Sequence, residues 1–373
     1  MVHNMHLSIP KQYLIKPLQT ACSIVDRKTT SPILNNALIK YEDGYLYFFS
    51  TDMEIQIYHR VSIENLPDFS ITVAAKKTLD IIKVLADDEI AVNIKENKLQ
   101  IQQDGSRFDL HTLPSKDFPL MQVNNTDSLE FNLSQKQLKH QLCSVAFAMA
   151  LQDVRYYLNG MLFKIENDEL IVVATDGHRM ACSKASCFIE KNKKIEVILP
   201  RKTVIELLRL LEDKNSEQTI NIKVNSQQII FNLGDIELIS KLIDGKFPDY
   251  TRIIPVNHPY TLIINRNNLG VGLQRVSILS HDKLRAAKFI LYKQGLSLFA
   301  SNSDNEEVKE DIKADYHGDE FEIGFNIAYW IDVVSMLKQD DLHIKLNNSN
   351  SSAILNTQDD IHTYQYVVMP MRI

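Results

Sequence analysis

Little in this sequence points to a reactive centre or an extreme environment. Its four cysteines (Cys22, Cys143, Cys182, Cys187) among 373 residues form no CxxC pair. They are too sparse for a disulfide framework, so reduced, buried thiols in a cytoplasmic protein are expected. No apolar run exceeds strand length, which excludes a helical membrane span. The start, MVHNMHLSIPK, lacks a basic segment followed by an apolar one, so no signal peptide is expected. There is no HExxH, no GxSxG, no P-loop and no GxGxxG after a strand. The 11 histidines form no ligand-spaced cluster with the cysteines, so neither a metal nor another cofactor is expected. Neither sign of charge dominates. With 41 basic and 47 acidic residues the net charge is −6, which argues against coating nucleic acid by bulk charge. The remaining composition, 45% apolar and 24% charged, is that of a globular chain long enough for two or three domains.

What is present is a threefold internal repeat. ALIKYEDGYLYFFSTD (Ala37 to Asp52) aligns without a gap on MLFKIENDELIVVATD (Met161 to Asp176), and KFILYKQGLSLFASNSD (Lys288 to Asp304) is a copy one residue longer. Each reads as a hairpin of two alternating strands around a tight turn. KKTLDIIKVL, RKTVIELLRLL and NIAYWIDVVSML begin at Lys76, Arg201 and Asn326 in the same register. Val204, Leu207, Leu208 and Leu211 follow helical spacing, as do Ile327, Trp330, Ile331 and Val334. An earlier helix precedes each hairpin, around Tyr13–Val25, Gln135–Met149 and Asn267–Leu279; Ser134 with Gln137 reads as a capping box for the second. The expected fold class is therefore α+β: three tandem domains, 1–125, 126–253 and 254–373, each with two helices and several antiparallel strands.

A domain of this size is roughly 36 Å across. Three in a closed ring leave a hole of about 6 Å and six leave about 36 Å by the same estimate, against a duplex roughly 20 Å wide. One chain cannot encircle DNA; two can. The six helical windows 10–28, 76–88, 134–152, 201–214, 266–275 and 326–338 together carry +8, so the rest of the chain carries −14 and the total is −6. Basic helices in an acidic body suit a phosphate-lined channel, although Lys and Arg are also good helix formers on solvated faces.

LQDVRYYLNGMLF (Leu151 to Phe163), VATDGHRMA (Val173 to Ala181), LPRKTVIELLRLL (Leu199 to Leu211), SKLIDGKFPDYTRIIP (Ser240 to Pro255) and the ending YVVMPMRI (Tyr366 to Ile373) closely resemble the bacterial sliding clamps. The resemblance spans the whole chain. It implies a head-to-tail homodimer, helices lining a ring and antiparallel sheets outside, which encloses duplex DNA without reading sequence. It also implies processivity without catalysis. The implied partners are a replicative polymerase catalytic subunit, a clamp loader, and repair and translesion polymerases that bind through short linear motifs, with no membrane involved.

Carried over residue by residue, the resemblance implies DNA contacts at Lys28, Gln152, Tyr156 and Tyr157, with Arg27 and Arg155 beside them; Arg201 and Lys202 could also face phosphates. Lys28 stands where the family usually carries arginine, so bidentate phosphate contact is not implied there. Read without the resemblance, Tyr156 and Tyr157 are core or hairpin aromatics. The implied partner-peptide pocket comprises Leu158, Thr175, Gly177, His178, Arg179, Met180, Pro248, Arg252, Ile253, Asn326, Tyr329, Val367, Met369, Pro370, Met371 and Arg372. Methionines suit a shared site because unbranched, polarizable side chains repack against different ligands. The implied dimer seam sets Phe108 and Leu110 against Ile278 and Leu279. Asp304, Glu306 and Glu310 are acidic partners for basic residues such as Lys76, Lys77 and Arg107. Two other readings remain: an enzyme using Asp176 with His178, or His281 with Asp282, as a carboxylate-oriented base, and a protein-only scaffold that never meets DNA.

Overall fold

The structure, a computed structural model, describes residues 5–25, 31–95, 97–124, 128–187, 194–212, 218–254, 257–281 and 284–372. Among them are six α-helices: α1 (Gln12–Ile24), α2 (Ala75–Val84), α3 (Gln135–Ala146), α4 (Arg201–Leu210), α5 (Arg266–Ser277) and α6 (Ile327–Met336). The order strand, helix, four strands, helix, three strands occurs three times in succession. Each sequence repeat is thus one complete set of elements.

The hairpins sit where the alternation places them. Asn36–Glu42 pairs with Tyr45–Thr51, Gly160–Glu166 with Glu169–Thr175, and Ala286–Tyr292 with Gly295–Ser301, all antiparallel. The turns need positive φ, supplied by Asp43 and Gly44 in the first copy and by Asn167 and Asp168 in the second. After the first two hairpins the same side-chain turn recurs. Thr51 Oγ1 donates to the Ile55 carbonyl and Asp52 Oδ1 accepts from the Glu54 and Ile55 N–H groups. Thr175 and Asp176 make the equivalent bonds to residues 178 and 179. A shared Thr-Asp pair therefore builds a shared corner.

Two compact units are formed: Met1–Gln135 with Arg209–Leu242, and Lys136–Leu208 with Ile243–Ile373. The division cuts the central copy because sheets run on from one copy into the next. In the first unit a 12-stranded sheet is continued by Ile55–Ser62 pairing with Ile236–Lys241. In the second unit an 8-stranded sheet is continued by Arg179–Ser186 pairing with His362–Val368, and a separate 4-stranded sheet ends on Glu307–Lys313. In the first unit Leu14, Leu18 and Ala21 of α1 and Leu79 and Ile82 of α2 join one core with Leu46, Phe48 and Val73. Burying such side chains contributes about 1.5–3 kcal/mol each.

None of the four cysteines forms a disulfide, but they are not all buried: Cys143 is exposed on α3 and Cys22 is intermediate. The expectation of buried thiols is corrected there, because position 143 lies off the apolar stripe of Leu138, Leu142 and Val145. Burial pushes the Cys182 thiol up to about 12 and Cys187 to about 11, which keeps both unreactive.

Candidate functional site

The second unit concentrates most of the residues singled out in the sequence. Its centre is the corner Thr175–Arg179. Gly177 has φ +87°, a backbone conformation that favours glycine, and a Cβ there would stand 3.0 Å from the movable Arg155 guanidinium. Asp176 Oδ1 serves backbone N–H groups while Oδ2 accepts from Arg179 Nε at 3.0 Å. That commits the carboxylate to holding the turn and leaves no general-base arrangement with His178. The alternative pair at His281 includes Asp282, which lies outside the described residues.

Arg179 is the hub. Its guanidinium donates to Asp332 Oδ2 at 2.5 Å and to the Phe147 carbonyl at 2.6 Å, and lies 4.4 Å from the Tyr329 ring centroid and 5.3 Å from that of Phe147. One side chain therefore ties the corner to α6 and to the segment after α3. Arg179→Ala is expected to cost about 2–3 kcal/mol, because charge-assisted bonds are lost and Asp176 is left poorly partnered. A lowered urea midpoint with unchanged slope would register this; an unchanged midpoint would contradict the hub role.

Beside the corner, one face of the 8-stranded sheet carries an apolar cluster: Leu162, Ile171, Val173, Met180, Cys182, Ile198, Phe247, Ile354 and Val367. Tyr157, Ile243, Tyr250, Ile253 and Ile254 pack against it, partly buried. Met180 stands opposite Val367 in the ladder. Beyond Val368 the chain leaves the sheet as an arm: the Met369 N–H donates to the His178 carbonyl and the Met371 N–H to the Gly324 carbonyl. Pro370, Met371 and Arg372 then line a cleft with Lys288, Glu322 and Asn350. Asn326 caps α6 by accepting from the Ala328 N–H.

Residues 5–122, 132–249 and 251–372 match in turn the N-terminal, central and C-terminal domains of the DNA polymerase III beta subunit. The beta sliding clamp of Pseudomonas putida is 39% identical over 371 residues, covering 99% of this chain and all of that one. The chain belongs to the beta sliding clamp family. A clamp is a non-catalytic processivity subunit of the DNA polymerase III holoenzyme, and that is the role of this chain in DNA replication. The Escherichia coli K12 clamp is 37% identical over 374 residues, covering 99% of this chain and all of that one. The crystal structure of the beta subunit from Pseudomonas aeruginosa matches with a TM-score of 0.93 at 38% identity, over 99% of this chain and all of that one. The Bartonella birtlesii clamp, solved bound to griselimycin, matches with a TM-score of 0.93 at 33% identity over the whole of both chains.

The other residues expected of a clamp are placed less uniformly. Arg27 and Lys28 lie outside the described residues. Gln152 (φ +54°) and the exposed Tyr156 share the loop before Gly160–Glu166, where Leu151 and Val154 are also exposed and were not anticipated. Tyr157 turns the other way, into the apolar cluster. Arg155 pairs with Asp153 at 2.8 Å. Arg201 donates to the Met149 carbonyl at 3.1 Å, which draws its charge inward; Lys202 follows it on α4. Arg252 is exposed and pairs with Asp249, while Leu158 is buried.

At the expected seam, Phe108 is half-buried and Leu110 buried on Ser106–Leu113, and Ile278 is 77% exposed just past α5. Arg107 pairs with Asp109, Glu310 with Arg275, and Lys76 donates to the Val25 carbonyl. Asp304 and Glu306 are exposed in a turn organised by Asn302, and Lys77 is exposed on α2.

Proposed function

We propose that two copies of the chain join head to tail into a closed ring that slides on duplex DNA and tethers polymerases by their linear motifs. The observation that carries this reading is a pair of strand edges. Ser106–Leu113 pairs with Lys98–Gln103 along its length, but on its other side it meets Phe69–Ala74 only at Thr112 and Leu113. Glu307–Lys313 pairs on one side alone. Each edge is a row of backbone groups without a strand partner among the described residues, and such edges are normally covered or charged. Phe108 and Leu110 mark one edge, and Ile278 and Leu279 lie by the other. Basic Lys76, Lys77 and Arg107 on the first side complement acidic Asp304 and Glu306 on the second. Glu310 reaches a partner only by leaving Arg275.

Three domains per chain, 1–125, 126–253 and 254–373, make six in the ring. Gln152, Tyr156, Arg155, Lys202 and the basic positions of α3 and α5 then meet phosphates weakly, so that sliding costs little. The apolar cluster and the arm 369–372 take partner peptides. The same reading puts the protein in the cytoplasm with the replication machinery; among the described residues no helix is long and apolar enough to cross a membrane. In solution the particle is expected at about twice 42.8 kDa. A sedimentation mass of one chain at working concentration would overturn the ring.

A further inference from the structure

On the second unit, away from the apolar cluster and the arm, α3 meets the last hairpin. His140 of α3, Asp359 in the turn after Ala353–Gln358, and His362 at the start of the last strand come together there, each offering a ligand atom within 4.8 Å of the others. His362 Nδ1 is 3.0 Å and 3.3 Å from the two Asp359 oxygens, and His140 Nδ1 is 3.9 Å from Oδ2. The Tyr364 hydroxyl lies 2.7 Å from His140 Nδ1 and donates to Asp359 Oδ2 at 2.8 Å. We infer that this cluster is a binding site for a divalent transition-metal ion of the zinc type, clipping α3 to the last hairpin.

The donor geometry supports it. A metal bonded at about 2.0–2.2 Å with tetrahedral angles holds its donors about 3.4 Å apart; the separations here bracket that value. The 3.9 Å between His140 and Asp359 is too long for a hydrogen bond, and a cation bridges it once His140 Nδ1 gives up the proton it shares with the Tyr364 hydroxyl, as metal binding to imidazole requires. Two imidazoles and one carboxylate favour zinc, cobalt or nickel over calcium or magnesium, which want oxygen. The carboxylate is already oriented, since Asp359 Oδ1 accepts from the backbone N–H groups of Ile361 and His362, the kind of outer support that ligating carboxylates have.

A second observation is independent of these distances. His362 is only 4% exposed, yet its Nε2 has no hydrogen-bond partner. A buried imidazole nitrogen left unpaired is unfavourable, so the His362 ring is hydrogen-bonded in place only through Nδ1 on Asp359, and a cation bonded at Nδ1 would strengthen that hold. His140 and Asp359 have side chains about a third exposed, so an ion can enter from solution. Tyr364 or water completes the coordination.

The test is a cobalt(II) titration of the full-length protein carrying Cys143→Ser, which removes the exposed thiol on the same helix. The expected result is a visible d–d absorption band saturating at one cobalt per chain, reversed by EDTA and displaced by zinc. It should be at least tenfold weaker in both His140→Gln and His362→Gln. Because buried His362 could affect folding, the half-exposed His140→Gln variant decides if the other is unfolded. Absence of a band, or the same band and stoichiometry in His140→Gln, would overturn the site and leave the cluster as a hydrogen-bonded turn.

Discussion

Removing Met369–Ile373 is expected to abolish binding of a polymerase-derived linear peptide while leaving the dimer intact. The arm is held by two backbone bonds, from Met369 to His178 and from Met371 to Gly324. The arm follows Val367, which belongs to the apolar cluster with Met180 and Phe247. Met369, Pro370 and Met371 are all partly exposed, so they offer surface to a ligand rather than being consumed by the core. Losing two such methionines removes about 4 kcal/mol of apolar contact, roughly a thousand-fold in Kd. The proposed dimer edges at Ser106–Leu113 and Glu307–Lys313 are untouched by the deletion. Calorimetric titration of the truncated chain, alongside its sedimentation mass, separates the outcomes. Unchanged peptide affinity would remove the arm from the site, and a monomeric truncation product would mean the arm acts on assembly instead.

The second large effect is expected from Ile278→Asp. An isoleucine 77% exposed directly after a helix is costly to leave in water. Coverage by the partner's Phe108 and Leu110 edge would give it a reason to be there. Losing its burial costs about 2 kcal/mol per seam, and burying a carboxylate in its place adds to that. A head-to-tail dimer has two identical seams, so each substitution acts twice: about 4 kcal/mol, roughly a thousand-fold in dimer dissociation. Monomer and dimer populations measured against concentration read this directly. A dimer as tight as the parent's would place the interface elsewhere.

The architecture was legible because a threefold repeat shows the same alternation and helical spacing three times over, and each landmark checks the others. Helix ends moved by one to three residues: the second expected helix stops at Ala146 rather than Met149. The Thr-Asp corner was visible as a repeated string, but its purpose, a side-chain-built turn, needed coordinates. The apolar cluster as a unit was not visible: Leu162, Cys182, Phe247 and Ile354 are buried and read as ordinary core residues, because strand alternation marks two faces without saying what packs on either. Tyr157 packs, partly buried, on the apolar cluster, a contact that the sequence does not show. Pairings such as Arg275 with Glu310 and the contact of His140 with Tyr364, which are 224 residues apart, depend on tertiary structure that local spacing does not carry.

The central claim is that persistence on DNA comes from enclosure and not from grip. Its most direct measurement compares retention of the loaded protein on a nicked circular duplex before and after a single cut that makes the duplex linear, at fixed salt. The account predicts stable retention on the circle and rapid loss from the free ends of the linear form. Equal retention on both would contradict it, since charge-driven binding is indifferent to whether the strand has an end.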